Sequence, residues 1–366
     1  FIREYINSGN SIPRTSPTRE YSGGYTDMFL QGVINKVLYC DVQSLYPSIM
    51  LTFNYFPKVD ELNIFHSLLS DLKDFRLNAK KMMSTAKTKS EEMYYDALQS
   101  TFKVLINSFY GYLGFAYGHF SDFEEANKVT AKGREIIKSM IEWLEENDCK
   151  VIEIDTDGIY FVPPKRVKKK KDEEDIINEL SGALPEGINL ELAGRYRAMF
   201  SYKIKNYVLL DYDDRIIIKG SGLRSRGLEL FQRRFMEEMF LYLLKGEGEK
   251  MDDLLDKYEK ELVDHKWDKK MFIKKETLKE SLAIYSEKVS KKKRSAAAAY
   301  ELALKSERKY QPGDQVSYYV IGEKSRVRVF DNCKLASQWN REEPDENVEY
   351  YKKKLNTLYE KFKPFF

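Results

Sequence analysis

The sequence predicts an α+β fold, and three observations predict it. Short β-type runs flank turn signals in the middle of the chain. Two long stretches carry apolar residues at three- and four-residue steps, and the last part is helical in pattern and rich in lysine. At 366 residues the chain is too large for one ordinary core and implies two or three packed subdomains. Hydrophobic residues at 42%, with 26 Tyr and 21 Phe, exclude global disorder. The greasiest run, Met239 to Leu244, is too short to span a bilayer, so no membrane partner is expected. Three widely separated cysteines and three histidines argue against a disulfide framework and against a Cys- or His-based metal centre. The net charge of +3 decides little, because a nucleic-acid partner would be engaged by local patches. The chain opens on Phe1 without a signal-peptide pattern, and we expect a soluble intracellular protein and a fragment of something longer.

The elements follow in order. The first stretch is turn-rich, with Asn7-Ser8-Gly9-Asn10 and Tyr21-Ser22-Gly23-Gly24. Val37 to Val42 reads as a buried strand. From His66 to Gly111 the apolar spacing (Leu68, Leu69, Leu72, Phe75, Ala79, then Met93, Ala97, Thr101, Val104, Leu105) predicts a helical hairpin. Its break falls at 87–90, with Ser90 as the N-cap. Another helix is predicted from Glu124 to Asn147. Two β-hairpins follow. Val151–Ile154 and Ile159–Val162 flank Asp155-Thr156-Asp157-Gly158, whose glycine suits a turn needing positive φ; Tyr202–Leu210 and Arg215–Lys219 flank a turn at 211–214. The run Lys168–Lys171 followed by Asp172–Asp175 reads as a solvated charged loop. Gly220-Ser221-Gly222 reads as a boundary, and Val316–Ile321 as a lone strand in the helical remainder.

If the strands carrying Asp41 and the 155–158 turn are neighbours, Asp41, Asp155 and Asp157 converge. Like charges about 4 Å apart repel by roughly 1 kcal/mol in water and several-fold more where water is scarce. Such a cluster needs cations, and hard oxygen donors without His or Cys favour Mg²⁺, with Mn²⁺ as substitute. Two such ions clamp the oxygens of an in-line phosphoryl transfer. The competing reading is an ordinary turn, because Asp and Gly are turn formers. Arg76 and Lys80 stand four apart, as do Lys103 and Asn107, so each pair shares a helix face. With the turn near Thr88, Arg76 and Lys103 differ in height by only about 4.5 Å. Three cations and an amide can then face one concavity, as a triphosphate requires. Solvated surface charges are the competing reading.

Three segments closely resemble the family B DNA polymerases. Asp41-Val42-Gln43-Ser44-Leu45-Tyr46-Pro47-Ser48-Ile49 is similar to that family's first palm motif. Lys103 to Gly111 is similar to its fingers motif Lys-x-x-x-Asn-Ser-x-Tyr-Gly, and Asp155-Thr156-Asp157 to its second carboxylate motif. Order and spacing agree as well. Tyr21, Gly23 and Gly24 resemble the element that touches the template, and Lys205-Asn206-Tyr207 falls where the family grips the primer. Tyr310–Ile321 and Val348–Leu358 resemble the end of the family's thumb.

The resemblance implies a right-hand fold: an antiparallel-sheet palm (1–65 and 119–220), helical-hairpin fingers (66–118) and a mostly helical thumb (221–366). It implies two Mg²⁺ ions on Asp41 and Asp157, with Asp155 in support and Val42 beside them in the ligand set. Arg76, Lys80, Lys103 and Asn107 would bind the incoming triphosphate, and Lys103 would protonate departing pyrophosphate. The backbone at Ser44 and Leu45 would hold the phosphate tail. Tyr46 would exclude a 2′-hydroxyl, and Tyr110 would line the nascent base pair. The implied partners are primer-template DNA and dNTPs, with a sliding clamp or accessory subunit as a candidate; the implied location is the cytoplasm, or the nucleus in a eukaryote.

Departures accompany the match. Gly158 replaces the usual Ser, which is expected to loosen the turn. Ile204 and Asn206 replace basic residues of the primer grip, and strand alternation is expected to put Lys203, Lys205 and Tyr207 on one face in compensation. Only about 36 residues precede the palm strand, too few for the family's exonuclease, so the chain is expected not to proofread. Lys288, Lys291, Lys292, Lys293 and Arg294 are expected on duplex phosphates, or else on a solvated helix face. The expected activity is template-directed addition of dNTPs to a primer 3′-hydroxyl. Its rivals are a non-catalytic DNA-binding or scaffold homologue and an enzyme with an altered template or nucleotide.

Overall fold

The computed structural model describes residues 1–15, 17–20, 22–224 and 227–366. The chain divides into two units, Phe1–Arg197 and Ala198–Phe366. The first holds α1 (Ile2–Asn7), β1 (Thr26–Met28), β2 (Gly32–Val42), α2 (Leu45–Phe53), α3 (Ile64–Ser84), α4 (Lys89–Leu113), α5 (Phe123–Glu146), β3 (Lys150–Asp155), β4 (Gly158–Val162) and α6 (Lys170–Gly182). The strand β5 (Leu190–Lys203) carries the chain from this unit into the next. Neighbouring strands run in the order β1-β3-β4-β2-β5, and the described pairings among the first four are antiparallel. One face is covered by α2 and α5, whose Ile49, Met50, Val129, Ile137 and Met140 are sealed from solvent with Cys40, Ile154 and Phe161 of the strands.

The helical hairpin predicted between His66 and Gly111 is α3 and α4. Its N-cap is Thr88 rather than Ser90: the Thr88 side chain accepts from the Glu91 amide, and the Glu91 carboxylate reaches back to the cap. Ser90 has Met93 three residues on and cannot form that reciprocal box. Aromatic contacts weld the hairpin to the unit, with Phe65 against Phe109 at 4.9 Å and Phe1 stacked on Tyr112 at 6.2 Å between centroids.

From Lys170 on, the charged run 168–175 is not a loop but the start of α6. Asp172 accepts from the amides of Lys168 and Lys169 at 2.9 Å each, while Ile176, Ile177 and Leu180 supply a buried stripe. The acids sit in the first turn, where the helix dipole favours them.

The second unit continues β5 into β6 (Asn206–Leu210) and β7 (Ile216–Lys219), paired antiparallel in sequence order. The predicted turn at 211–214 is present, with Asp211 accepting from the amides of Asp213 and Arg215. Then come α7 (Leu230–Lys245), α8 (Met251–Val263), β8 (Lys274–Thr277), α9 (Leu282–Ser290), α10 (Ala298–Lys305), β9 (Gln315–Val320), β10 (Cys333–Leu335) and α11 (Val348–Phe362). The strand expected at 316–321 is β9, flanked by β10 and β8 in a small antiparallel sheet. Phe231, Phe235, Phe240, Tyr351 and Phe362 fill a helical core between α7, α8 and α11; a smaller core centres on the stacked pair Tyr285 and Tyr300. No helix among the described residues is long and apolar enough to cross a membrane.

Candidate active site

Strand register sets the acidic end of the site. Asp41, at the end of β2, pairs across the sheet with Gly158, and the Val42 amide donates to the Asp157 carbonyl at 2.8 Å. Asp157 therefore reaches β2 directly. The link between β3 and β4 is very tight: the Asp157 amide donates to the Asp155 carbonyl at 2.7 Å across Thr156, whose φ is 64°. That matches a γ-turn with positive φ, a strained arrangement for a β-branched residue. The left-handed residue is Thr156, and Gly158 instead begins β4. The expectation that the glycine serves a positive φ is corrected on this point. Gly158 is buried, and a Cβ there would stand 2.5 Å from the Tyr39 ring.

Asp155 does not line the cavity that Asp41 and Asp157 share, though the charges of all three act on Tyr39. Asp155 pairs with Thr26 of β1, and β4 lies between its strand and that of Asp41. Two strand spacings separate the backbones by about 9.6 Å. Among the described residues no group of three or more His, Cys, Asp or Glu side chains could hold a metal ion. The acids that line the cavity are Asp41, Asp157 and Glu191, a residue the sequence reading missed. Burial, then the charges of Asp157 and Glu191, pushes the Asp41 carboxyl up to about 7. The Tyr39 hydroxyl donates to Asp41 at 3.4 Å, and burial plus the neighbouring carboxylates raise its pKa well above the ordinary tyrosine value.

The cationic wall comes from the hairpin. After Val42 the chain turns at Ser44, which has φ 52° and caps α2 with a left-handed backbone. The Arg76 guanidinium of α3 donates to Ser44 Oγ at 2.6 Å, and its buried Nε has no partner. Burial lowers the Arg76 pKa, opposed by Glu191 and Asp41. Lys103 and Asn107 of α4 join it in lining a cavity of about 240 Å³, together with Val42, Gln43, Ser44, Leu45, Tyr46, Tyr110 and Thr156. Lys80 is held beside this group by Glu191 at 3.3 Å, and Gln43 also donates to Glu191 at 3.3 Å. Tyr46 and Tyr110 pack ring against ring at 4.4 Å.

Gly24 lies against the same tyrosine. A Cβ there would stand 2.5 Å from Tyr46 Oη and 2.7 Å from Thr156 Cγ2. The Gly23 carbonyl accepts from Arg134 at 2.7 Å. Tyr21, the remaining member of that element, lies outside the described residues.

The primer-grip expectation fails in one respect. β5 ends at Lys203, the chain reverses over Ile204 and Lys205, and β6 begins at Asn206, which pairs with Lys203. Lys205 has φ 58°. Lys203, Lys205 and Tyr207 thus straddle a tight turn and cannot share one strand face; the two lysines are exposed and Tyr207 is buried. The lysine cluster is also altered by its own acids. Lys288 and Arg294 both pair with Glu280, Lys291 pairs with Glu287 at 2.5 Å, and Arg294 lies over Tyr285 and Tyr300 at 5.0 and 4.5 Å. Lys292 and Lys293 are exposed.

The profile of DNA polymerase family B matches residues 58–362. A DNA polymerase of Desulfurococcus sp. (strain Tok) is 29% identical over 91% of this chain and 46% of its own length. One from Thermococcus gorgonarius is 34% identical over 59% of this chain and 30% of its own. The solved family B DNA polymerase from the hyperthermophilic archaeon Pyrobaculum calidifontis shares the fold, with TM-score 0.73 at 21% identity over 98% of this chain and 49% of that one. The chain spans about half the length of relatives that match it end to end.

Proposed function

This chain belongs to family B of the DNA polymerases, and from that premise we propose that it extends a primer 3′-hydroxyl with dNTPs on a DNA template, releasing pyrophosphate. One observation carries the reading: a single cavity faces Asp41 and Asp157 on one side and Arg76, Lys103 and Asn107 on the other. A carboxylate pair opposite a cationic clamp suits a nucleoside triphosphate, whose phosphates meet the clamp while the α-phosphorus lies near the acids.

The donor set fits a hard divalent cation. Asp41 and Asp157 offer oxygen, and among the described residues no His or Cys lines the cavity; burial, then the charges of Asp157 and Glu191, raises the pKa of Asp41. Asp41 and Asp157 would hold Mg²⁺ or Mn²⁺, with the Val42 carbonyl within the same ligand set. When bound, a pair of such ions supplies the positive charge that eases attack by the hydroxyl and departure of pyrophosphate.

The chain's own residues do the rest. Arg76 and Asn107 orient the triphosphate, the α2 N-terminus at Ser44 and Leu45 offers backbone amides to its tail, and Lys80 joins the clamp on leaving Glu191. Lys103 gives a proton to the departing pyrophosphate. Tyr46, backed by Tyr110 and Gly24, leaves no room for a 2′-hydroxyl. In this reading 1–65 and 119–220 are palm, 66–118 fingers and 221–366 thumb. Asp155 serves as a supporting charge. Gly23 and Gly24 face the template; the exposed Lys203 and Lys205 serve the primer strand, with the buried Tyr207 packed behind them; a clamp or accessory subunit is a further partner.

Primer extension with Mg²⁺ and all four dNTPs tests the proposal, with Asp157→Asn as control. Extension that Asp157→Asn reduces by at least about 10³-fold supports it. DNA binding without extension would favour the non-catalytic homologue instead.

A further inference from the structure

Tyr39 stands on β2 two residues before Asp41 and directly opposite Tyr160 on β4, the two rings stacked at 4.3 Å. Residues two apart on a strand share a face, and diagonal neighbours across a pair lie within reach of an aromatic ring. The diagonal neighbour of Tyr39 toward the acids is Gly158. A Cβ there would stand 2.5 Å from both Cε2 and Oη of Tyr39, an approach no side chain makes. Since φ at Gly158 is not positive, backbone freedom does not account for the glycine; the ring's space does. Seated in that space, the Tyr39 hydroxyl reaches Asp41 Oδ1 at 3.4 Å.

We propose that Tyr39 is a positioning residue that aims the Asp41 carboxylate at the divalent cation, and that Gly158 is its seat. This rests on the metal-binding role given to Asp41 and Asp157 above. Occupying one carboxylate oxygen leaves the other turned to the cation, and the stack on Tyr160 keeps the phenol from swinging away. Donors of this kind behind a ligand typically change metal affinity by about 10- to 100-fold.

The test is Mn²⁺ binding to the full chain, without DNA or nucleotide, followed by electron paramagnetic resonance. Tyr39→Phe keeps the ring and removes the hydroxyl. It is expected to weaken Mn²⁺ binding on the order of 10-fold with an unchanged unfolding midpoint, and primer extension is expected to recover at higher Mg²⁺. Wild-type Mn²⁺ affinity in Tyr39→Phe overturns the positioning role. Gly158→Ala is expected to weaken Mn²⁺ binding when Tyr39 is present and to add little in a Tyr39→Ala background. Equal penalties in both backgrounds overturn the seat. Asp157→Asn separates the two readings: if it binds Mn²⁺ normally, the metal site itself falls and takes this inference with it. If it loses Mn²⁺ while Tyr39→Phe does not, only the role of Tyr39 falls.

Discussion

Two groups of cations in this chain look alike in composition and differ in what they face. Around the cavity, Arg76 has a buried Nε without a partner, and Lys103 looks across at Asp41 and Asp157. Between 288 and 294, Lys288, Lys291 and Arg294 are matched by Glu280 and Glu287 on the same segment. The first group faces its acids across an open cavity, and Arg76 holds the Ser44 hydroxyl instead of a carboxylate. The second is largely satisfied, so its cations hold α9 to its surroundings before they hold anything else. Counting basic residues in a sequence cannot separate these cases, because the separating fact is where the acids lie.

Substitutions can break this contrast or sharpen it. Lys103→Met is expected to lower the extension rate at saturating dNTP by about 10²- to 10³-fold, read by single-turnover kinetics, since a donor aimed at developing charge is lost. Arg76→Lys keeps the charge but loses the fork that holds Ser44, and kcat/KM for dNTP is expected to fall about 10-fold; an equal value would deny the clamp its geometry.

The acids opposite supply a pH test. The carboxyl of Asp41 titrates in the folded chain at about 7, against roughly 3.9 when unfolded. The folded state therefore holds that proton more tightly. Its contribution to stability is present below about pH 4 and lost as pH rises to about 7. Without divalent cations, the unfolding midpoint is expected to fall over that window, and Asp41→Asn to flatten the fall. An equally steep fall in Asp41→Asn would place the titration elsewhere.

The smallest effects belong to the second cluster. Each phosphate contact contributes about 0.9 to the logarithmic salt slope of duplex binding. Replacing Lys292 and Lys293 together by Ala is expected to lower the slope by at most about 1.8, and adding Lys288, Lys291 and Arg294 to change it little further. A drop near 4.5 would show that DNA pulls all five away from their acids. Lys291→Ala alone is expected to shift stability by under about 0.5 kcal/mol, as exposed i,i+4 pairs do.

Much of the first unit was legible because its signals are local. The run Val37–Val42 and the three- and four-residue steps of α3 and α4 announce their elements. The offsets from Asp41 to Tyr46 and from Lys103 to Asn107 place residues that do meet in one cavity. What stayed hidden depends on neighbours across a sheet. Glu191 sits near the start of β5, where Gly194, Arg195 and Arg197 obscure a strand pattern, and nothing local says which strand lies alongside. Asp155 and Asp157 look equivalent in sequence, yet a γ-turn and an intervening strand send only one to Asp41. Gly158 was misread because a glycine after Asp suggests a turn, whereas the ring of Tyr39 is what requires it. In the second unit, the reversal at Ile204-Lys205 has no Gly or Pro, and Asn206, whose side chain donates to the Ile204 carbonyl, was read only as a lost basic residue, so alternation was carried through a corner.

Gly24 has a consequence of its own. It brings residues 24, 46 and 156 into contact, and a single methyl there would press on both Tyr46 and Thr156. Drift at this position would move Tyr46 and the strained loop in one stroke, so a variant library should tolerate almost nothing else there. Under the role proposed for Tyr46, selections for unusual sugars are expected to find routes through Tyr46 itself, and seldom through the glycine beside it.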